Sequence, residues 1–368
     1  MRRRAAWGIG LALAVVAAAA VWSAWRPPAA FPGAHWSVQA PEPAGFSAEK
    51  LAAFSAQAGG AGCVVRGGKM IHAWGDVSNR HDVASSIKPV YAFLAFKAIE
   101  SGRLPALDEP VAKWMPALAD LNPDLGYKDR GITFRHLLDQ TSGYGLGEGP
   151  GEAFAYNDYG TGLLVWTLLH EVLQTPWKQF DAVLNGPWLG EALGFEDRPD
   201  MNHQGSHLGR IRISVRDLAR FALLYQRGGT WRGRPVLRAD LFRAALAGGL
   251  PADFPRTAGS EARHLRRVGT IGGGKNQKNH LGCLGYFWWF NRATPDGTRL
   301  LPDAPPGTFL GVGYGGRFAM VIVPELDLVA VWHAVYRETG ETWSPFSEIG
   351  RFKVNEMLRD LLAARTSP

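Results

Sequence analysis

The sequence predicts an α/β fold: an antiparallel sheet flanked by helices, built from N- and C-terminal parts, with an all-helical region inserted between them. Strand-like runs stand at both ends of the chain. CVVRGGKMIHAW (Cys63 to Trp74) is one, and LGYFWWF and FAMVIVPELDLVAVW follow in the last third. Between them the apolar residues recur at helical spacing, as in GLLVWTLLHEVL (Gly162 to Leu173) and VRDLARFALLYQ (Val215 to Gln226). No internal repeat is found.

In chain order the first element is an apolar segment. Residues Ala5 to Trp25 carry no charged side chain, a length that crosses ~30 Å of hydrocarbon as a helix. Arg2, Arg3 and Arg4 precede it, which predicts a cytoplasmic N-terminus and an exported body, periplasmic or extracellular. Trp22 and Trp25 suit the outer interface. A cleavable signal with a secreted product is the alternative, but Val21-Trp22-Ser23-Ala24 is a poor cleavage site. Residues 1–26 are therefore expected to anchor the chain in a membrane, and 27–44, rich in Pro and small residues, to form an extended linker.

The body is expected over 45–365. Its α/β part spans about 45–105 and 283–365, and its helical part about 106–282. Ser47 caps a helix, AEKLAAFSAQA. Two short strands follow around Gly67-Gly68. Pro89 to Ile99 is helical and ends at Gly102. Ile132 to Leu138 leads into a turn at Thr141-Ser142-Gly143, and a last helix covers Phe352 to Ala363.

Hydrophobic content of 46% and charged content of 20% fit a folded globular chain. The net charge of +7 is spread among acidic residues with no basic stripe interleaved with aromatics, which argues against nucleic-acid binding. The two cysteines, Cys63 and Cys283, are either a disulfide permitted by export or two buried small hydrophobes. No Cys/His cluster has zinc spacing, and neither a metal nor an organic cofactor is implied.

Chemistry centres on Ser85-Ser86-Ile87-Lys88. A hydroxyl is a poor nucleophile unless a neighbouring base removes its proton. Ser-x-x-Lys places both side chains on one helical face. A helix start adds backbone N–H groups suited to an oxyanion. Pro89 sets that start near Ser85. Ser47-Ala48-Glu49-Lys50 has the same spacing and reads as a cap with a solvated first turn.

Context separates the two. VASSIKPVYAFLAFKAIESGRL, LDEPVAKWMP, ITFRHLLDQTSGY, FAYNDYGTGLL, ISVRDLARFALLYQRGG, LGYFWWF and GVGYGGRFAMVIVPELDLVAVW follow one another over about residues 45 to 360. In this order they resemble the signature segments of the penicillin-recognising serine hydrolases, in the branch of class C β-lactamases, related esterases and D-amino-acid peptidases. The resemblance implies a β-lactamase/transpeptidase-like fold and a serine hydrolase working through an acyl-enzyme on a small-molecule ester or amide. Ser85 would be the nucleophile, Lys88 its base or proton shuttle, and Tyr156 the group that protonates the leaving group or assists the base. Tyr127-Lys128-Asp129 repeats the Tyr-x-Asp spacing, but only Tyr156 precedes a long apolar helix. The N–H groups of Ser85 and Tyr314 would form the oxyanion hole beside Gly313.

The chain departs from that pattern twice. Asp158 stands where the resemblance implies asparagine, and a carboxylate accepts where an amide also donates. Asp158 either pairs with Lys88, holding it charged, or favours a substrate amine or hydroxyl. Gly311-Val312-Gly313 stands where a cation and hydroxyl would bind a substrate carboxylate. A carboxylate-bearing substrate loses charge-assisted hydrogen bonds of ~1.5–3 kcal/mol each there, which weighs against β-lactamase or carboxypeptidase activity. His203, His207 and His280 spell His-x-Gly at other places and read as loop residues. Trp288-Trp289 read as core, and Gly272 to Asn279 as a polar rim loop. The rival expectation is a non-catalytic or slowly acylating descendant that binds cell-wall fragments or peptides. Oligomeric state is not specified by the sequence.

Overall fold

Four runs of the chain alternate apolar residues or are apolar throughout, and in the computed structural model they become the centre of one sheet. The described residues are 29–201, 210–265, 280–313, 316–333 and 351–366; for 351–353 this covers the backbone only. The expected anchor, Tyr314, His203, His207 and Gly272 to Asn279 lie outside them. Among the described residues, no helix is long and apolar enough to cross a membrane. Contacts divide the chain into Met1–Phe31 and Pro32–Pro368, and every element below belongs to the second unit.

Helix α1 (Ala48–Ala58) is capped by Ser47, whose side chain accepts the Lys50 N–H at 3.3 Å. Lys50 Nζ donates to Ala363 O, so this Ser-x-x-Lys is structural. Strands β1 (Ala61–Arg66) and β2 (Lys69–Trp74) pair around Gly67-Gly68, as expected from the sequence. β3 (His81–Asp82) then leads through a 3-10 turn, Ala84–Ile87, into α2 (Lys88–Glu100). The expected helix start near Ser85 is thus a tighter turn, with regular α geometry from Lys88.

The middle of the chain is largely helical. It holds α3 (Phe134–Leu138), α4 (Asp158–Trp166, continued by a π-helical turn Thr167–Val172), α5 (Phe180–Asn185) and α6 (Gly190–Leu193). Two short strands, β4 (Asp200–Met201) and β5 (Ile211–Ile213), precede α7 (Val215–Gln226). A small hairpin, β6 (Thr230–Trp231) and β7 (Arg234–Pro235), leads to α8 (Ala239–Ala247). The last third returns to strands: β8 (Leu284–Gly285), β9 (Trp288–Phe290), β10 (Phe309–Gly313), β11 (Phe318–Val323) and β12 (Leu328–His333). α9 (Arg351–Ala363) follows.

Seven antiparallel strands form the main sheet in the order β2-β1-β12-β11-β10-β9-β8. β1 pairs with β12 across more than 250 intervening residues because each carries apolar side chains on both faces, so each is stable only inside a sheet covered on both sides. One face packs Leu51 and Phe54 of α1 and Leu358 and Leu361 of α9 against Val64, Val321 and Trp332. The other face meets α7, where Phe221 and Tyr225 gather with Trp288 and Phe309. Trp288 and Trp289 are both buried, one toward each face, as alternation along a strand requires.

Both cysteines are buried, with no disulfide between them. Cys63 lies on β1 and Cys283 just before β8, at the far end of the sheet order, and burial pushes the Cys63 thiol up to about 12. Part of the segment expected as linker is tied to the body. The buried Arg220 of α7 donates to Gly33 O and Leu193 O, each at 3.1 Å, to Ala34 O at 3.2 Å and to Glu196 at 2.7 Å.

Candidate active site

β3 delivers the chain to Ser85 with its backbone already committed. His81 and Asp82 pair with Ile213 and Arg212 of β5. Asp82 Oδ1 accepts the Ala84 N–H at 2.9 Å, and Arg210 Nε lies 2.9 and 2.8 Å from the two Asp82 oxygens. Ala84 is held at φ +51°, a left-handed conformation unfavourable to a residue with a Cβ and the kind of local strain found at functional turns. The turn closes through Ser86 Oγ donating to Val83 O at 2.7 Å and the Lys88 N–H donating to Ser85 O. Ser85 is half-buried at its apex, while Ser86 and Lys88 point inward.

β10 presses its backbone onto this turn. A Cβ on Gly311 would lie 2.6 Å from Ser86 O. One on Gly313 would lie 2.8 Å from Ser86 N and Val83 O and 2.9 Å from Ser85 N. The glycine at position 311, where the resemblance implies a cation, therefore has a steric reason: any side chain there must push the strand off the Ser85 turn. At Gly313 the missing Cβ keeps the surroundings of the Ser85 N–H open. Val312 points the other way and packs against the core.

Three sequence-expected residues converge. Lys88 Nζ lies 2.9 Å from Asp158 Oδ1 and 4.1 Å from the centre of the Tyr156 ring. The Lys88 side chain is 6% exposed and that of Asp158 is 44% exposed. Burial alone would lower the Lys88 ammonium, but Asp158 and Tyr156 outweigh it and hold it above the ordinary lysine range. Of the two options open for Asp158, pairing with Lys88 is the one observed. Asp158 is the first residue of α4, and the preceding Asn157 caps that helix by accepting the Gly160 N–H at 2.8 Å. The competing Tyr127 is exposed, and Asp129 is buried against Lys128 and Asn122.

Two further features were not anticipated. Tyr286 and Phe287 form the two-residue turn between β8 and β9 with φ +48° and +68°, where Asn-Gly is the usual solution. Both are buried aromatics, and the Phe287 ring centre lies 5.9 Å from Lys88 Nζ. Arg135 hydrogen-bonds the Tyr286 hydroxyl, and the Tyr286 N–H donates to Asp139 Oδ1 at 3.1 Å. Burial raises the Asp139 carboxyl to about 6, opposed by that N–H and by Arg135. The second feature is Gln140, which binds the backbone on both sides of Tyr156. The ITFRHLLDQTSGY match marked this segment without saying what it supports.

His280 is buried. Its Nδ1 accepts the Gly282 N–H at 3.0 Å and its Nε2 meets Phe254 O at 3.1 Å, the arrangement of a neutral, structural imidazole. Among the described residues, no group of three or more His, Cys, Asp or Glu could hold a metal ion.

The family model described as Beta-lactamase matches residues 48–339. No curated protein matches the sequence. Solved structures with a similar fold include a beta-lactamase from Mycobacterium bovis, at 19% identity and a TM-score of 0.55, covering 84% of this chain and 99% of that one. A penicillin-binding protein homolog from Caulobacter crescentus is 14% identical with a TM-score of 0.58, covering 87% and 99%. A D-alanine carboxypeptidase from Burkholderia cenocepacia is 15% identical with a TM-score of 0.54, covering 86% and 97%.

Proposed function

The chain belongs to the beta-lactamase family, and on that premise we propose that it is a serine hydrolase whose nucleophile is Ser85. Its oxygen attacks the carbonyl of an ester or amide, the alcohol or amine departs, and water releases the acyl group from Ser85. The observation that carries this reading is the convergence of Lys88, Tyr156 and Asp158 beside the strained Ser85 turn. Lys88 keeps its proton against Asp158, so it acts first as a cation that offsets negative charge developing on the Ser85 oxygen. Tyr156 moves the proton between Ser85 and the leaving group. The Ser85 N–H, with that of Tyr314, binds the oxyanion next to Gly313.

The closed position at Gly311 supports neutral esters and small amides over carboxylate-bearing β-lactams or peptide termini. The charge-free Ala5 to Trp25 segment behind three arginines supports a membrane-anchored, exported body, with a secreted form as the alternative. The Lys88–Asp158 pair also favours one second reading. If the pair slows proton transfer enough, the protein acylates without turning over and works as a binder of cell-wall fragments or peptides.

A p-nitrophenyl ester panel separates these readings. The wild type hydrolyses at least one ester, and Ser85→Ala lowers kcat by about 1000-fold or more. Hydrolysis unchanged in Ser85→Ala refutes the assignment.

A further inference from the structure

The two residues that flank Tyr156 are both hydrogen-bonded to Gln140. The Ala155 N–H donates to Gln140 O at 2.9 Å, and the Asn157 N–H donates to Gln140 Oε1 at 3.0 Å. Gln140 Nε2 donates to Leu137 O at 2.8 Å, which fixes which way the amide faces. Asn157 in turn caps α4, so Asp158 starts from the same anchor. The two groups that meet Lys88 are therefore the two neighbours of Asn157, the residue held by the Gln140 side chain.

The backbone of Gln140 makes this placement informative. It sits at φ +59°, in the left-handed region that glycine and asparagine enter with less strain. The residue is also 2% exposed, so its long polar side chain is not there for solvent. Reach explains it: the amide must span from the end of α3 to the Asn157 N–H. We propose that Gln140 is a positioning residue that sets Tyr156 and Asp158 against Lys88, a role that rests on reading those three residues as the proton-transfer apparatus of Ser85.

Two variants test it. Gln140→Asn suits the backbone better but leaves its amide one methylene short of Asn157. Gln140→Glu suits the backbone no better, yet a carboxyl buried here is favoured in its neutral form and keeps both an acceptor for Asn157 and a donor for Leu137 O. The expected result is a fall in kcat of about 100-fold for Gln140→Asn, with Gln140→Glu within about tenfold of wild type. KM changes by less than about threefold in both. A purely structural role predicts instead that kcat follows the folded fraction; here Gln140→Asn is slower even when assayed well below its melting temperature, where it is fully folded. Wild-type kcat in Gln140→Asn, or equal losses in the two variants, overturns the proposal.

Crystal structures of both variants give a readout independent of turnover. The Tyr156 ring leaves its place 4.1 Å from Lys88 Nζ in Gln140→Asn and keeps it in Gln140→Glu. If the wild type hydrolyses no ester, the hydrolase reading fails, while this displacement still decides the role of Gln140. A ring that stays put in Gln140→Asn overturns it.

Discussion

Lys88 and Asp158 meet at 2.9 Å, a buried ammonium against a carboxylate that remains partly open to solvent. Asp158 raises Lys88 while burial lowers it, so Asp158→Asn removes a raising influence and leaves burial in place. Lys88 then loses its proton at lower pH. The limb of the pH–rate profile governed by Lys88 should move to lower pH in Asp158→Asn. A limb that does not move contradicts the pairing as the controlling interaction.

The same pair predicts a stability effect with a definite sign. A lysine raised on folding stabilises fully below the unfolded value of ~10.4, and that contribution is lost as pH rises through the folded value. Asp158→Asn should therefore cost stability at pH 7, about 1 kcal/mol once solvent screening at the exposed carboxylate is allowed for. Urea denaturation at pH 7 measures it.

Gly313→Ala places a methyl group within 3 Å of three backbone atoms of the Ser85 turn. The strand or the turn must shift, at a cost of about 1–3 kcal/mol, and ester hydrolysis should fall with it. Gly311→Lys should likewise fail to create a carboxylate site, because the strand must first leave the turn. A Gly313→Ala protein with wild-type melting temperature and activity contradicts this account of the two glycines.

His333, at the end of β12, stacks on Phe318 and lies 4.1 Å from His81 between ring centres. Burial, His81 and Arg317 hold its imidazole down to about 4, against the pull of Asp82. The unfolded chain binds a proton there from ~6.5 downward, so this contribution is present above that pH and is lost as pH falls toward 4. His72, His136 and His280, also lowered, slope the same way, whereas Asp139 and Asp217, raised to about 6, slope the other way. Comparison with His333→Asn isolates the one histidine. The wild-type urea midpoint should drop more between pH 7 and 4.5 than that of the variant; parallel drops contradict the assignment.

The sheet was legible because β1, β11 and β12 are apolar runs bounded by Gly, Pro and Asp, β2 follows β1 directly across Gly67-Gly68, and α7 has helical periodicity along its whole length. Ser85 and Lys88 stood out from Ser47 and Lys50 only through neighbouring motifs. The structure gives the physical distinction: Ser47 spends its oxygen on a helix cap, and Lys50 reaches the end of α9. Contacts between distant segments were not legible. Nothing local says that Gly311 is glycine because Ser86 O lies beneath it, or that Gln140 holds the two neighbours of Tyr156. The turn at Tyr286-Phe287 inside the strand-like LGYFWWF run was not legible, since turn chemistry favours Asn-Gly and tertiary packing imposed two aromatics there.

The central claim is that Ser85 is the nucleophile, and covalent labelling tests it most directly. Folded protein is treated with a fluorophosphonate, its intact mass is measured, and the adduct is mapped by peptide sequencing. One adduct on the peptide containing Ser85, absent from Ser85→Ala, is the predicted result. No adduct, or an adduct elsewhere that persists in Ser85→Ala, would contradict the account.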